Sequence, residues 1–242
     1  MNKHLPLIVV TLLLCTTLVW IARMGSSTAL AIKNKGHVSV KGFASEKITS
    51  DLAIFEITLQ TRDMDLAAAY AKLSQDNEML TKFLGGYKIK PQEIGASPVQ
   101  VEERYRISET GHSTNDIAFY QVSQSYRVES GDVAKIARLA SESGDLVGQG
   151  ITAMVRQPQY LFTGLEGLKI EMIGRATANA RERAHILAKN GKFRLGSIAD
   201  VRVGVFQITP LHSTEVADYG INDTSSINKE IKSVVDVRYF VR

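Results

Sequence analysis

The chain opens on an unbroken apolar run and then alternates strand-like and helix-like stretches to its end. Leu5 to Ala22 is uncharged and is flanked by Lys3 and Arg23. As a helix this run is ~27 Å long at about 1.5 Å per residue, close to the ~30 Å hydrocarbon layer of a bilayer. It predicts one N-terminal transmembrane helix within residues 1–24. Leu5, Leu12, Leu13, Leu14 and Leu18 would lie in lipid, with Trp20 as an interfacial aromatic. A cleaved signal peptide is the competing reading, because Ala29-Leu30-Ala31 has small-x-small spacing. Against it, Arg23 interrupts the segment before that site, and the apolar run exceeds the usual ~7–15 residues. Residues 25–35 read as a linker.

From residue 36 the period of the pattern switches repeatedly between two and 3.6. Val38, Val40, Gly42 and Ala44 mark a first strand, and Ser45 to Ser50 a polar turn. Ala53, Phe55, Ile57 and Leu59 share one face of a second strand. A helix starting at Asp63 or Asp65 carries Leu66, Ala69, Tyr70, Leu73, Leu80 and Leu84, and Gly85-Gly86 is its expected stop. Ile94 to Ile107 and a return around Tyr120 to Val128 predict a long antiparallel ribbon joined by the polar residues 108–116. A shorter helix follows Asp132, with Val133, Ile136, Ala137 and Ala140 on one face. Ile151 to Phe162 is a strand weakened by Pro158. The longest helical pattern, Gly164 to Asn190, has Ile173, Ala176, Ala180, Ala184 and Leu187 as its stripe and Gly191 as its stop. Ala199 to Val205 and Val235 to Val241 are the last strands, separated by an irregular polar stretch at 209–232. Helices set between antiparallel strand pairs predict an α+β domain over 36–242. Its two halves, about 36–150 and 151–242, are candidate subdomains.

Charge changes the picture less than the total suggests. The chain carries 29 Lys+Arg against 25 Asp+Glu, and its pI is about 9.1. Lys3 and Arg23 flank the apolar run, so the rest is nearly balanced. No basic run with interleaved aromatics occurs, which gives no support to nucleic acid as a partner. Cys15 is the one cysteine and lies inside the apolar run, which leaves residues 36–242 without thiol chemistry.

Catalytic signatures are missing from the pattern. The histidines His4, His37, His112, His185 and His212 are scattered, without Asp, Glu or Cys at metal-ligand spacing. Glu102 and Glu103 are adjacent, and on a strand they face opposite ways. No nucleophile elbow, phosphate loop or dinucleotide glycine pattern occurs. No cofactor or metal is expected, and the chain reads as a non-enzyme. A small-ligand binder or enzyme with a cleft between the two halves is the alternative.

Three stretches carry a resemblance. Val38–Ala44 followed by Asp51–Ile57 gives a glycine-containing strand and then an apolar one. Arg175–Ala188 gives an alanine-rich helix followed by Gly191 and Leu195-Gly196, and Val234–Val241 a closing valine-rich strand. In this order they resemble the SIMPL-domain family of bacterial envelope proteins over about residues 36–242. The resemblance implies an envelope location, a role tied in some members to stress tolerance, and self-assembly into large rings in at least one relative. It implies no catalytic residues. The localisation expected is the inner membrane, single-pass, with the C-terminal domain in the periplasm. The alternatives are secretion to the periplasm after cleavage and, because the flanking charges are ambiguous, a cytoplasmic domain. A homo-oligomer is expected, with lipid contacts through the N-terminal helix. The candidate assembly or partner surfaces are Arg104, Arg106 and Arg127 on the ribbon and Arg175, Arg181 and Arg183 on the long helix.

Overall fold

The computed structural model describes Thr16, Thr17, Trp20, Ile21 and residues 36–242. The first four are helical, and Trp20 is exposed. Leu5, Leu12, Leu13, Leu14 and Leu18 of the expected span lie outside the described residues. Among the described residues no helix is long and apolar enough to cross a membrane.

The elements run β1 (His37–Thr49), β2 (Leu52–Asp63), α1 (Leu66–Gly86), β3 (Ile94–Ala96), β4 (Gln100–Ile107) and β5 (Ser113–Ser130). They continue as α2 (Val133–Ser141), α3 (Gly144–Gly148), β6 (Ala153–Val155), β7 (Gln159–Leu161) and α4 (Leu165–Gly191). The chain closes with β8 (Leu195–Val203), β9 (Gln207–Pro210), β10 (Ile221–Asn222) and β11 (Asn228–Val241). The mixed α+β class with antiparallel sheets is as the pattern predicts. The compact units differ from the expected halves. One unit takes the described residues up to Ala44 with Glu171–Gly204 and Ser233–Arg242, and the other takes Ser45–Ile170 with Val205–Lys232. Strands β1 and β11 each contribute residues to both, which a contiguous reading of the sequence does not anticipate.

The larger unit is built on a sheet of order β3-β5-β2-β6, with β4 also on β5 and β7 also on β2. Ala53, Phe55, Ile57 and Leu59 of β2 are all fully buried, as their period of two requires. Helix α1 packs on β2 and β5 through Ala69, Leu73, Leu80 and Leu84. Its start is fixed by Asp65, whose carboxylate accepts the backbone N–H groups of Ala67 and Ala68 at 2.7 and 3.3 Å. The buried line is narrower than the predicted stripe. Leu66 and Tyr70 are exposed, and Asp76 occupies a buried position on the line. From α2, Val133, Ile136 and Leu139 are buried, and the predicted Ala137 and Ala140 are partly buried against the same core.

In the smaller unit, residues Val235 to Val241 of β11 pair antiparallel with Val203 to Leu195 of β8, and β1 is β11's other neighbour. Met172, Ala176, Ala180, Ala184 and Ala188 form the buried stripe of α4. Leu187, expected there, is exposed. Small residues let this helix approach the strand closely. A Cβ built on Gly42 of β1 would sit 2.0 Å from the Ala176 carbonyl oxygen and 2.7 Å from the Ala180 Cβ. Asn179 fixes the same approach by accepting the Phe43 N–H at 3.1 Å.

Several boundaries move for local reasons. The polar stretch after Ala44 continues β1 to Thr49 instead of turning at Ser45. The predicted strand Ile94–Ile107 breaks between Ala96 and Gln100, where Pro98 has no N–H to give a ladder. Pro158 likewise separates β6 from β7. The stretch 209–232 is not all irregular, because it holds β10 and the first five residues of β11.

Candidate functional site

The long ribbon is present and its tip stands clear of the sheet. Strand β2 pairs with β5 only as far as Asp63 opposite Tyr120. Beyond that pair, β5 from Ser113 to Phe119 has β4 as its only strand neighbour among the described residues. All of β4 is exposed, and its outer edge has no strand partner among the described residues. Val101, Tyr105 and Ile107 are 49%, 43% and 74% exposed, an apolar row that nothing described covers. The turn is tied by the Ser108 N–H to the His112 carbonyl at 2.8 Å, and the Thr114 hydroxyl donates to the Arg106 carbonyl at 3.0 Å. A two-stranded ribbon is marginal in water when nothing packs against it.

The six candidate arginines divide between the two units. Arg104 and Arg106 share the β4 edge, where Arg104 pairs with Glu102 and the Tyr105 hydroxyl donates to Glu103. Arg127 sits farther along β5, opposite Gly95, beside Glu56 at 4.0 Å and Glu129 at 3.6 Å. In the smaller unit, Arg175 pairs with Glu171 one turn earlier on α4. Arg183 donates to the Lys41 carbonyl at 2.9 Å and so ties α4 to β1. Arg181 lines a groove of about 710 Å³ with Glu182, His185, Leu195 and Ile198. Arg106 and Arg181 make no ion pair among the described residues.

Catalytic geometry is sparse. Among the described residues no three His, Cys, Asp or Glu side chains converge as a metal site. His37 packs its ring on Phe240 at 4.9 Å, and His112 caps the ribbon turn through Thr110. A second groove, about 910 Å³ and open to solvent, is lined by Lys82, Tyr87, Arg138 and Glu142, with the Tyr87 hydroxyl donating to Glu142.

Two buried ionisable groups have no counterpart in the sequence reading. Asp76 is 2% exposed and one of its carboxylate oxygens has no partner among the described residues. Burial raises its pKa, with Lys72 opposing more weakly. Lys229 of β11 is also 2% exposed, and its ammonium donates to the carbonyls of Tyr160 and Asp223. Burial lowers its pKa, opposed by the Asp223 carboxylate. A signal for Lys229 was available. Counting back by two from Val235 reaches Ser233, Ile231 and Lys229, all buried on one face.

No curated protein matches the chain. Residues 38–239 match the model of SIMPL, a protein family of unknown function (DUF541). The match takes in β1 and nearly all of β11, the two strands that serve both compact units. The chain therefore belongs to the SIMPL family.

Proposed function

We propose that this is a non-enzymatic envelope protein, anchored in the inner membrane by its N-terminal segment, that self-assembles through its SIMPL domain with the β4 edge as a contact. The observation that carries the assembly reading is the uncovered β4 edge with its order of residues. Set antiparallel to a second copy about Arg104, β4 places Val101 opposite Ile107, Glu102 opposite Arg106, and Glu103 opposite Tyr105. Apolar meets apolar and acid meets base, so the edge complements itself. Arg104 then meets its own copy with a Glu102 beside each. The apolar run at 5–22 supports the anchor and export of the rest of the chain to the periplasm. A link to stress tolerance rests on the family resemblance alone.

Native mass measurement of the full chain released from detergent tests the assembly. Masses at multiples of the protomer are expected, and a strict monomer at the highest soluble concentration overturns it. C-terminal reporter fusions test the topology. Signal from a periplasmic reporter is expected, and signal confined to a cytoplasmic one overturns the localisation.

A further inference from the structure

We propose that the cavity at Lys229 in the larger unit binds a small apolar carboxylate. The inference stands apart from the assembly reading and uses none of its residues. A buried ammonium loses several kcal/mol of hydration, and the usual compensation is a carboxylate at contact distance. Among the described residues Lys229 has no such partner. Its two hydrogen bonds go to the neutral backbone oxygens of Tyr160 and Asp223. The nearest acid, Asp223, is engaged by its own turn. It accepts the N–H and hydroxyl of Ser225 at 2.9 and 2.7 Å, and the N–H and hydroxyl of Ser226. An ammonium has three N–H donors, so one is left over.

Lys229 lines a cavity of about 220 Å³. The remaining wall is mainly Ile48, Leu52, Leu161, Phe162, Leu165 and Ile208. Asn222 adds one amide to the lining, while the Thr163 hydroxyl is already committed to Asp51 at 2.7 Å. A dry cavity of ~150 Å³ takes benzene, so this one has room for a ring or branched chain plus a carboxylate. Such a ligand would supply the missing negative oxygen to Lys229 and an apolar body to the six side chains. Water could satisfy the ammonium but would leave that apolar wall hydrated.

The test is titration of the full chain, in non-ionic detergent, with benzoate and with 4-methylpentanoate, followed by calorimetry and ligand-observed NMR. One saturable site is expected for at least one acid. Benzyl alcohol, of similar shape but neutral, is expected to bind roughly tenfold more weakly or worse, because it cannot form the charge-assisted bond. Leu165→Trp fills the cavity while leaving Lys229 itself unaltered and should abolish binding while the melting temperature holds. Lys229→Met should keep the volume and lose the preference for the acid over the alcohol. Failure of both acids to bind at millimolar concentration overturns the site. Equal binding of acid and alcohol overturns the role of the ammonium. Undiminished acid binding by Leu165→Trp places the ligand elsewhere and also overturns it. If Lys229→Met does not fold, the acid-against-alcohol comparison and Leu165→Trp still decide.

Discussion

At the residue scale, two glycines separate close packing from mere permissiveness. Gly42 faces backbone atoms of α4 at distances no Cβ tolerates, whereas a Cβ on Gly85 meets nothing within 4 Å. Gly42→Ala should therefore cost about 3 kcal/mol, because neither the Ala176 carbonyl nor the Ala180 backbone can move aside without shifting the helix. Gly85→Ala should gain about 0.5–1 kcal/mol by removing backbone freedom from a helical position. Denaturant midpoints of the two variants check both signs. Asp76 carries the opposite lesson about burial. Burial holds its folded pKa above the ordinary carboxylate value, so ionisation costs stability at neutral pH. That cost shrinks once pH falls below the raised folded value and is gone below the unfolded one. Asp76→Ala should stabilise the protein by about 1 kcal/mol at pH 7, since it removes an unpartnered buried oxygen from a helix. The gain should shrink on acidification, and a pH series of melting curves showing a constant gain would contradict the assignment. The apolar period was legible here, yet the sequence gives no sign that position 76 lies on the buried line with Ala69 and Leu80 around it.

At the element scale, helix ends show that a glycine can mark a stop without supplying the left-handed residue. Gly85-Gly86 and Gly191 read as stops, and the helices do end on Gly86 and Gly191. The left-handed residues are Lys88, at φ 56°, and Lys192, at φ 54°. The Ile89 N–H reaches the Leu84 carbonyl at 3.2 Å and the Lys88 N–H the Gly85 carbonyl at 2.9 Å, the paired bonds of a Schellman end. The Phe193 N–H reaches the Ala188 carbonyl at 3.1 Å in the same way. A lysine side chain in that conformation crowds its own carbonyl. Lys88→Gly and Lys192→Gly should each stabilise by about 1 kcal/mol, read as a rise in melting temperature. Helix existence was legible to within a few residues because the period of 3.6 persists over many turns. Strand extent was less so. The early part of β11 puts Lys229 and Ser233 on its inward face, and two polar residues there mask the alternation that Val235, Val237 and Tyr239 make plain.

At the scale of the whole molecule, the family was readable because three weak motifs fall in the right order, although each alone is ordinary. The unit boundaries were not readable, because β1 and β11 serve both units and no contiguous window shows that. The ribbon's arginines were found by alternation, but which of them lie on an uncovered edge depends on where β2 stops. That stopping point makes the β4 edge testable by charge order. Arg104→Glu with Arg106→Glu leaves Glu102, Glu103 and the two new acids in a row. In the antiparallel pairing about position 104, acid then opposes acid at every charged pair. Cross-strand pairs of this kind are worth ~0.2–1 kcal/mol each, so the double variant should lose about 2 kcal/mol per interface, roughly thirtyfold in affinity. Adding Glu102→Arg and Glu103→Arg reverses the order of charges and makes the edge self-complementary again. The quadruple variant should regain the wild-type mass. It should mix poorly with the wild type, because in a mixed pair acid faces acid and arginine faces arginine at the two 102/106 pairs, which outweighs the one opposite-charge contact at position 104. Native masses of the double variant, the quadruple variant and an isotope-labelled mixture settle it together. A double variant that keeps the wild-type mass rules out this edge, and a quadruple variant that mixes freely with wild type rules out this register.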